Sequence, residues 1–179
     1  MIKINMGCGW RNFGEGWYHI DGGDYEHLDH KDIFKLPFKD ESVDLIYASH
    51  VIEYFDREEV IDVLSEWIRV LKKGGILRVA VPNFKVLSKL YIEGIVNLNQ
   101  IIGPLYGKMN MGDEKIYHKT TYDFDSLKSI LKKIGLENID FYDWRKTSHA
   151  CFDDHSQAYI PHMSKHSGVL VSLNIEGYK

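Results

Sequence analysis

The sequence predicts one doubly wound α/β domain with a mostly parallel central sheet. Two observations support this fold class. Short apolar runs alternate with amphipathic helical segments, and the first two runs end in glycine-rich turns. The chain has 179 residues, enough for one hydrophobic core, and it shows no internal repeat, low-complexity tract or linker. We therefore predict a single domain over residues 1–179, with an antiparallel hairpin at its C-terminal edge.

Strands of the N-terminal half are predicted from short apolar runs that are bounded by turn residues. These strands are residues 2–6, 17–21, 43–49 and 76–81, with a minimal strand edge at 32–37. Only residues 10–16 separate the first two strands. That segment is short for a crossover helix, so we expect a single helical turn or no helix there.

The helix with the clearest signals begins after residue 56. Asp56 can cap it and Glu59 can complete a capping box. The apolar residues from Val60 to Leu71 then fall on one helix face. The Gly74-Gly75 pair predicts the end of this helix.

The second half of the chain predicts two further helices. Residues 84–92 have helical periodicity, and Asp123 can cap a helix that ends at Gly135. We interpret residues 83–119 as a lid or substrate insertion, with a loop at residues 103–112. The last two predicted strands are residues 139–144 and 169–175. Because only a loop joins them, we predict that they are antiparallel.

Composition and charge give no signal for several classes of protein. The formal net charge is −4, which gives no electrostatic signal for binding nucleic acid or an anionic membrane. No apolar run is long enough to cross a bilayer, and residues 1–9 lack the pattern of a signal peptide. Cys8 and Cys151 form no C-x-x-C pair. We therefore expect a reduced, cytoplasmic protein.

The residues at the strand ends are the candidates for ligand binding, because open parallel sheets bind ligands outside the carboxyl ends of their strands. Gly7-Cys8-Gly9 follows the first strand and Asp21 ends the second. Both the glycines and Asp21 also have a purely structural explanation, since glycines make tight turns and Asp-Gly is a common turn pair. Asn12 leaves the dinucleotide fingerprint incomplete, and Asp21 lies closer to the glycines than the spacing of about 20 residues expected for NAD. The combination favours a nucleoside ligand other than NAD.

Four segments together resemble the class I S-adenosylmethionine (SAM)-dependent methyltransferases. They are INMGCG, GWYHID, KDIFKLPFKDESVDLIYASHVIEYF and LSEWIRVLKKGGILRVAVPN. The resemblance is continuous over residues 4–83, and YHKTTYDFDSLKSILKKIGLENI is similar to the late helix of the family. Within the family, the chain looks most like the small methyltransferases linked to glycan and cell-surface biosynthesis. It departs from the pattern in having Trp10 and Arg11 after Gly9, and IEYF in place of a Leu-Glu-His form.

The resemblance implies a Rossmann-like fold, SAM as cofactor and S-adenosylhomocysteine (SAH) as product. The implied cofactor residues lie at successive strand ends. The backbone of Met6, Gly7, Cys8 and Gly9 would line the methionine part of SAM, and Asp21 would hold the ribose. Asp32 and the amide of Ile33 would contact the adenine, and Ser49 and His50 would border both cofactor and substrate.

A hydroxyl acceptor needs a base, and histidine is the commonest one. The candidates are His50, His118 and His149. We favour His118, because it precedes the capped helix where the family places active-site residues, and His149 is second. Since the chain has nine histidines, a structural or surface role is the alternative for each.

Residues 144–168 are unusually dense in polar and aromatic side chains, and we interpret them as a substrate loop. The side chains predicted to bind substrate are Arg145, Asp153, Asp154, Gln157 and Tyr159. A long solvated connection is the alternative. His149, Asp153, Asp154 and His155 could bind a divalent ion, but their spacing matches no metal motif, so we predict no metal.

We therefore predict a methyltransferase that moves a methyl group from SAM to a small polar acceptor, by O-methylation of a sugar or glycan precursor. The alternatives are a non-catalytic SAM-binding or scaffold protein and an NAD-linked Rossmann enzyme. Exposed apolar faces could pair two copies as a homodimer, but the sequence alone places no interface.

Overall fold

The computed structural model describes residues 1–162 and 164–179. It contains four α-helices and ten strands in the described part of the chain. The strands are β1 (Lys3–Met6), β2 (Trp17–Ile20), β3 (Val43–Ser49), β4 (Leu71–Pro82), β5 (Met109–Met111), β6 (Glu114–Ile116), β7 (Glu137–Phe141), β8 (Tyr159–Ile160), β9 (Val169–Leu170) and β10 (Ser172–Tyr178). The helices are α1 (Glu59–Val70), α2 (Phe84–Ile92), α3 (Leu98–Tyr106) and α4 (Phe124–Lys133).

Six strands form the central sheet in the order β2-β1-β3-β4-β10-β7. The first four strands in this order are parallel to one another, and β10 runs antiparallel to both of its neighbours. This arrangement confirms the predicted mostly parallel sheet with an antiparallel C-terminal edge. Met6 pairs with both Ile20 and Ala48, so the carboxyl ends of β1, β2 and β3 meet at one edge.

Different kinds of structure cover the two faces of the sheet. Helices α1 and α4 pack on one face around a large apolar core that includes Trp67, Leu64 and Leu127. The other face carries a smaller cluster around Phe13, Trp17, Tyr47 and Tyr142, and it is covered by irregular segments rather than by an α-helix. Residues 10–16 form no helix, as their length predicts.

Helix ends agree with several capping predictions. The Asp123 side chain accepts from the amide of Ser126 and forms a capping box with it, and Gly135 follows the end of α4 with φ of +93°. Asp56 accepts from the amides of Glu58 and Glu59. Glu59 does not complete the predicted capping box, because its carboxylate pairs with Lys119 at 3.2 Å.

Some predicted element boundaries were wrong. Helix α1 ends at Val70, before the Gly74-Gly75 pair, and β4 begins at once at Leu71. The two glycines lie instead where the register between β3 and β4 shifts. Residues 32–37 form no strand, and the sheet edge has only an isolated bridge between Ile20 and His30.

The predicted loop at residues 103–112 was also wrong, because α3 continues to Tyr106 and the β5–β6 hairpin follows. Predicted strand 169–175 is divided into β9, which pairs with β8, and β10. The strand predicted at 139–144 begins and ends earlier, as β7. Within the described residues, no helix combines the length and the apolar character that crossing a membrane would require.

Candidate active site

Asp21 connects the glycine loop to the turn that follows β2. Its Oδ2 accepts a 2.8 Å hydrogen bond from the amide of Gly9, and its Oδ1 accepts a 2.7 Å bond from the amide of Gly23. Only 7% of Asp21 is exposed. A carboxylate has about four acceptor positions, so two remain for a ligand. Asp21 therefore fixes the loop and can still accept hydrogen bonds at the edge of the sheet.

The two glycines of the loop have different structural roles. Gly7 has φ of +63°, and a Cβ there would collide with the side chain of Val51, so Gly7 allows close packing against the segment after β3. Gly9 has φ of +56°, and its nearest neighbour at the Cβ position is the Tyr25 hydroxyl at 4.0 Å. The space beside Gly9 is therefore open to a ligand that approaches the backbone.

Met6 ends β1 and Cys8 lies between the two glycines, and both are buried. The Met6 side chain is fully buried, so only its backbone is available to the loop edge. Burial raises the pKa of the Cys8 thiol to about 12, and the nearby Asp21 carboxylate acts in the same direction. The Cys8 sulfur lies 3.7 Å from Nε2 of His27. A thiol held neutral in this way is a poor nucleophile.

The predicted adenine contacts lie in an exposed turn after His30. Oδ1 of Asp32 accepts from the amides of Phe34 and Lys35, which closes this turn. The Ile33 carbonyl accepts a 2.9 Å bond from the indole of Trp67 in α1. The turn is thus anchored to the helical face while Asp32 stays exposed.

The β5–β6 hairpin reaches the same edge of the sheet. A Cβ at Gly22 would lie 3.7 Å from the sulfur of Met111, at the end of β5. Residues 83–119, predicted as a lid or insertion, therefore bring a hairpin against the residue that follows Asp21. The hairpin leads directly into His118.

His50, Glu53 and His118 meet at the end of β3, and we call them the His–Glu cluster. Oε1 of Glu53 lies 3.3 Å from Nδ1 of His50 and 3.9 Å from Nε2 of His118. Glu53 is fully buried, and neither of its carboxyl oxygens has a hydrogen-bond partner among the described residues. Burial raises the pKa of Glu53 to about 8 and lowers the pKa of both histidines.

Backbone contacts hold the His–Glu cluster together. The amides of Lys119 and Thr120 both donate to the carbonyl of Glu53, at 2.8 and 3.2 Å. His118 also abuts Gly107, where φ is +56° and a Cβ would collide with the imidazole. His50 itself has φ of +56°, an uncommon value for a residue with a side chain. The sequence alone assigns no role to Glu53, which lies in the IEYF segment.

His149 lies away from this cluster, over the second face of the sheet. It is 2% exposed and packs 4.1 Å from the ring of Tyr47, with its Nε2 3.3 Å from a guanidinium nitrogen of Arg78. Burial, followed by the charge of Arg78, lowers the pKa of His149 to about 4. Of the three candidate bases, the structure therefore brings together His50 and His118, but not His149.

Polar side chains of residues 144–168 bond mostly within the protein. Asp154 accepts from the Tyr47 hydroxyl at 2.6 Å and from Ser49 at 3.3 Å, which brings it to the carboxyl end of β3. Gln157 is buried and donates to two carbonyls of its own segment. This segment, predicted as a substrate loop, covers the second face of the sheet.

The remaining predicted substrate residues lie nearer the surface. Arg145 is exposed and donates to the hydroxyl of the buried Tyr159 at 2.7 Å. Asp153 is exposed and pairs with Lys165 at 2.8 Å. In residues 1–162 and 164–179, no group of three or more His, Cys, Asp or Glu side chains is arranged to hold a metal ion.

Comparison with known proteins agrees with this geometry. A family described as a methyltransferase domain matches residues 20–79, which run from the end of β2 into β4. The ubiquinone/menaquinone biosynthesis C-methyltransferase UbiE of Klebsiella pneumoniae is 30% identical over 115 residues, which are 60% of this chain and 44% of the relative. The chain thus spans less than half the length of this curated relative.

Solved structures give the same fold. A SAM-dependent methyltransferase from Archaeoglobus fulgidus aligns with a TM-score of 0.60 and 16% identity, over 99% of this chain and 86% of the other. The 1,6-didemethyltoxoflavin-N1-methyltransferase of Burkholderia thailandensis, solved with SAH, aligns with a TM-score of 0.57 and 9% identity, over 99% and 70% of the two chains. The family match covers residues 20–79, and the solved structures share the Rossmann-like methyltransferase fold of this chain. They do not identify the methyl acceptor.

Proposed function

We propose that this protein is a SAM-dependent methyltransferase that transfers a methyl group from SAM to a small polar acceptor, at an oxygen of a sugar or glycan precursor. The observation that carries the cofactor assignment is the position of Asp21. It lies at the carboxyl end of β2, joined to the Gly9 amide, and it keeps acceptor positions for the two ribose hydroxyls. The open space beside Gly9 fits a ligand that runs along the loop.

Each cofactor residue then has a separate task. The backbone of Met6 to Gly9 would line the methionine part, and Asp21 would hold the ribose. Exposed Asp32 would accept from the adenine amino group, while Ser49 and His50 would border the transferred methyl group. SAM supplies an activated sulfonium methyl, so the protein has mainly to align the donor with the acceptor and exclude water. The β5–β6 hairpin beside Gly22 is suited to excluding water.

The hydroxyl acceptor is supported by the His–Glu cluster, because a hydroxyl must lose a proton as it is methylated. The sugar assignment rests on the family resemblance, since Asp154, Gln157 and Tyr159 are buried and bonded within the protein. Carbon and nitrogen acceptors are therefore included in the test, as the named relative is a C-methyltransferase and a structural neighbour is an N-methyltransferase.

Calorimetric titration with SAM and SAH tests the cofactor assignment. We expect micromolar binding of both, loss of binding in Asp21→Ala, and no binding of NAD. Asp24→Ala is the matched control, because Asp24 lies in the same turn but is exposed and pairs with Lys31. Absence of SAM and SAH binding by the folded protein would contradict the proposal. Equal loss of binding in both variants would contradict the role of Asp21.

Product analysis then separates an enzyme from a SAM-binding scaffold. The protein is incubated with SAM carrying a labelled methyl group and with panels of sugar, phenol, amine and quinol acceptors. Label transferred to a sugar oxygen supports the full proposal, and label on carbon or nitrogen corrects the acceptor. SAM binding without transfer to any of these panels would favour the scaffold.

The pairing of two copies stays a prediction from the sequence. Exposed apolar side chains lie along and between α2 and α3, and they include Ile92, Ile95 and Leu98. Sedimentation velocity with Ile95→Glu tests whether this surface joins two copies.

A further inference from the structure

Arg11 follows the glycine loop, and its backbone is fixed from two sides. Its amide donates to the carbonyl of Cys8 at 3.0 Å, and its carbonyl accepts from the side chain of Asn5 at 3.4 Å. Its Nε donates at 2.9 Å to the carbonyl of Asp153, in the segment that covers the second face of the sheet. The guanidinium also lies over the exposed indole of Trp10, with Cζ 4.8 Å from the ring centroid. These contacts hold the guanidinium between the glycine loop and the covering segment.

The protein leaves most donors of this guanidinium to a ligand. In residues 1–162 and 164–179, no carboxylate pairs with Arg11, and Nε makes its only side-chain hydrogen bond. The N–H donors of both Nη atoms are therefore free to bind a ligand. The acids of the covering segment are engaged elsewhere, since Asp153 pairs with Lys165 at 2.8 Å and Asp154 accepts from the Tyr47 hydroxyl at 2.6 Å. Arg11 is thus a half-buried cation that can take an anionic ligand.

His155 adds a second donor at the end of β3. Its ring centroid lies 5.1 Å from that of His50, and the residue is exposed. Neither ring nitrogen of His155 has a hydrogen-bond partner in the part of the chain that the structure describes. The preceding residue, Asp154, bonds to Ser49 at 3.3 Å and so holds His155 beside the carboxyl end of the strand. A ligand can therefore reach this imidazole from solvent.

The charge of Arg11 acts on both imidazole rings. Partial burial of its ring lowers the pKa of His155, and the Arg11 charge acts in the same direction. The carboxylates of Asp154 and Asp153 oppose this shift without cancelling it. Burial also lowers the pKa of His50, and Arg11 adds to that effect. An anion bound between Arg11 and His155 would relieve the repulsion, because it would stabilise positive charge on both.

We propose that Arg11 and His155 bind an anionic group of the methyl acceptor, a phosphoryl or carboxylate group. This inference rests on the proposed methyl transfer and names the class of acceptor, a sugar or glycan precursor that carries a negative charge near the methylated oxygen. The Nη atoms of Arg11 can donate side by side to such a group, and His155 adds a further donor. The anion belongs to the acceptor because His155 lies in the predicted substrate loop, residues 144–168, and packs on His50. The space open to the cofactor lies beside Gly9 instead.

Inorganic phosphate tests this anion site without an acceptor. NMR of protein labelled with nitrogen-15 on arginine and histidine follows Arg11 and His155 during a phosphate titration at pH 7 and constant ionic strength, with and without SAH. We expect saturable shifts of both side chains in both titrations, retained in Lys73→Gln and lost in Arg11→Gln. Lys73 is the matched control, because it is exposed and lies near the amino end of β4, at the opposite edge of the sheet.

The two titrations separate the possible sources of the anion. Shifts that SAH abolishes would assign the site to the carboxylate of the cofactor and overturn the proposal. Absence of saturable shifts, or equal shifts in Arg11→Gln, would overturn it as well. A protein that binds phosphate at Arg11 but binds no SAH would refute the proposed methyl transfer, and with it the assignment of the anion to a methyl acceptor, while the anion site itself would stand.

Paired acceptors supply the kinetic test. The labelled-methyl assay compares a neutral sugar with the same sugar carrying a phosphate or a carboxylate, and we expect transfer to favour the charged sugar. Arg11→Gln should raise KM for the charged sugar by about 10- to 100-fold, the range of a lost charge-assisted hydrogen bond, and leave affinity for SAH unchanged. Arg11→Lys keeps the charge but not the planar fork, so it should recover part of the loss.

Equal KM for the charged and neutral sugars, or an unchanged KM in a folded Arg11→Gln protein, would contradict the role of Arg11. If Arg11→Gln does not fold, the phosphate titrations of the unaltered protein and of Arg11→Lys decide the question.

Discussion

The Tyr47 hydroxyl donates a 2.6 Å hydrogen bond to Oδ2 of Asp154, across 107 residues of sequence. Tyr47 lies in β3, at the centre of the sheet, and has no exposed surface. Asp154 belongs to the segment that covers the sheet face without an α-helix. Its other oxygen accepts from the amide of Ser156 and from Ser49. The Tyr47–Asp154 hydrogen bond therefore anchors the irregular segment that covers this face to the sheet, close to the candidate active site.

Asp154→Ala should destabilise the fold, because it leaves the buried hydroxyl of Tyr47 without an acceptor. A buried polar group without a partner costs about 1–3 kcal/mol in the free energy of unfolding. Tyr47→Phe should cost less than Asp154→Ala, and the double variant should cost less than the sum of the two. Urea unfolding measures all three. Asp153→Ala is the control, since Asp153 is exposed. Equal effects at positions 153 and 154 would contradict this account.

Gly107→Ala should disrupt the candidate base. A Cβ at Gly107 would collide with the imidazole of His118, whereas Gly112, which also has positive φ, has nothing within 4 Å of its Cβ position. Both variants carry the cost of a side chain in the left-handed region, about 1–2 kcal/mol. Only Gly107→Ala should also lose methyl transfer while retaining affinity for SAH. Equal methyl-transfer activity in the two variants would show that His118 has no role in catalysis.

The free energy of unfolding should depend on pH through Glu53. Its pKa is raised from an ordinary 4.5 to about 8 in the folded protein. Between these values the native state holds a proton that the unfolded chain has lost. Stability is therefore lost as pH rises through this window, at up to about 1.4 kcal/mol per pH unit. Glu53→Gln should remove this contribution, so its advantage over the unaltered protein should grow from pH 5 to pH 8. Parallel stability curves in urea titrations would rule this out.

His149→Phe should change stability in acid but not catalysis. Burial lowers the pKa of His149 from 6.5 to about 4, so the unfolded chain binds a proton before the native state does. Stability is lost as pH falls from 6.5 toward 4. Phenylalanine fits among Phe13, Trp17 and Tyr47 without titrating, so this loss should become smaller while kcat stays unchanged. Exposed His166 is the control position. A large fall in kcat would return His149 to the list of catalytic candidates.

The sequence determined the parts of this protein that depend on local patterns. Apolar runs located the parallel strands, because strand formation follows from short apolar segments between turn residues. The short segment 10–16 predicted a missing helix, and Asp123 located the start of α4. The glycine loop and Asp21 were found together, since both follow directly from the ends of predicted strands.

Only the tertiary structure decided what the long-range contacts do. Residues 144–168 are predicted as a substrate loop because they are polar, and the fold places Asp154 and Gln157 of this segment over a sheet face that has no α-helix. Glu53 has no distinguishing signal in its family-like segment, because the sequence gives no measure of how deeply a side chain is buried. Chain folding brings it to His50 and His118, which lies 65 residues later in the chain. A buried acid gains its properties from neighbours that are remote in sequence, so neither its protonation nor its partners could be predicted from local pattern.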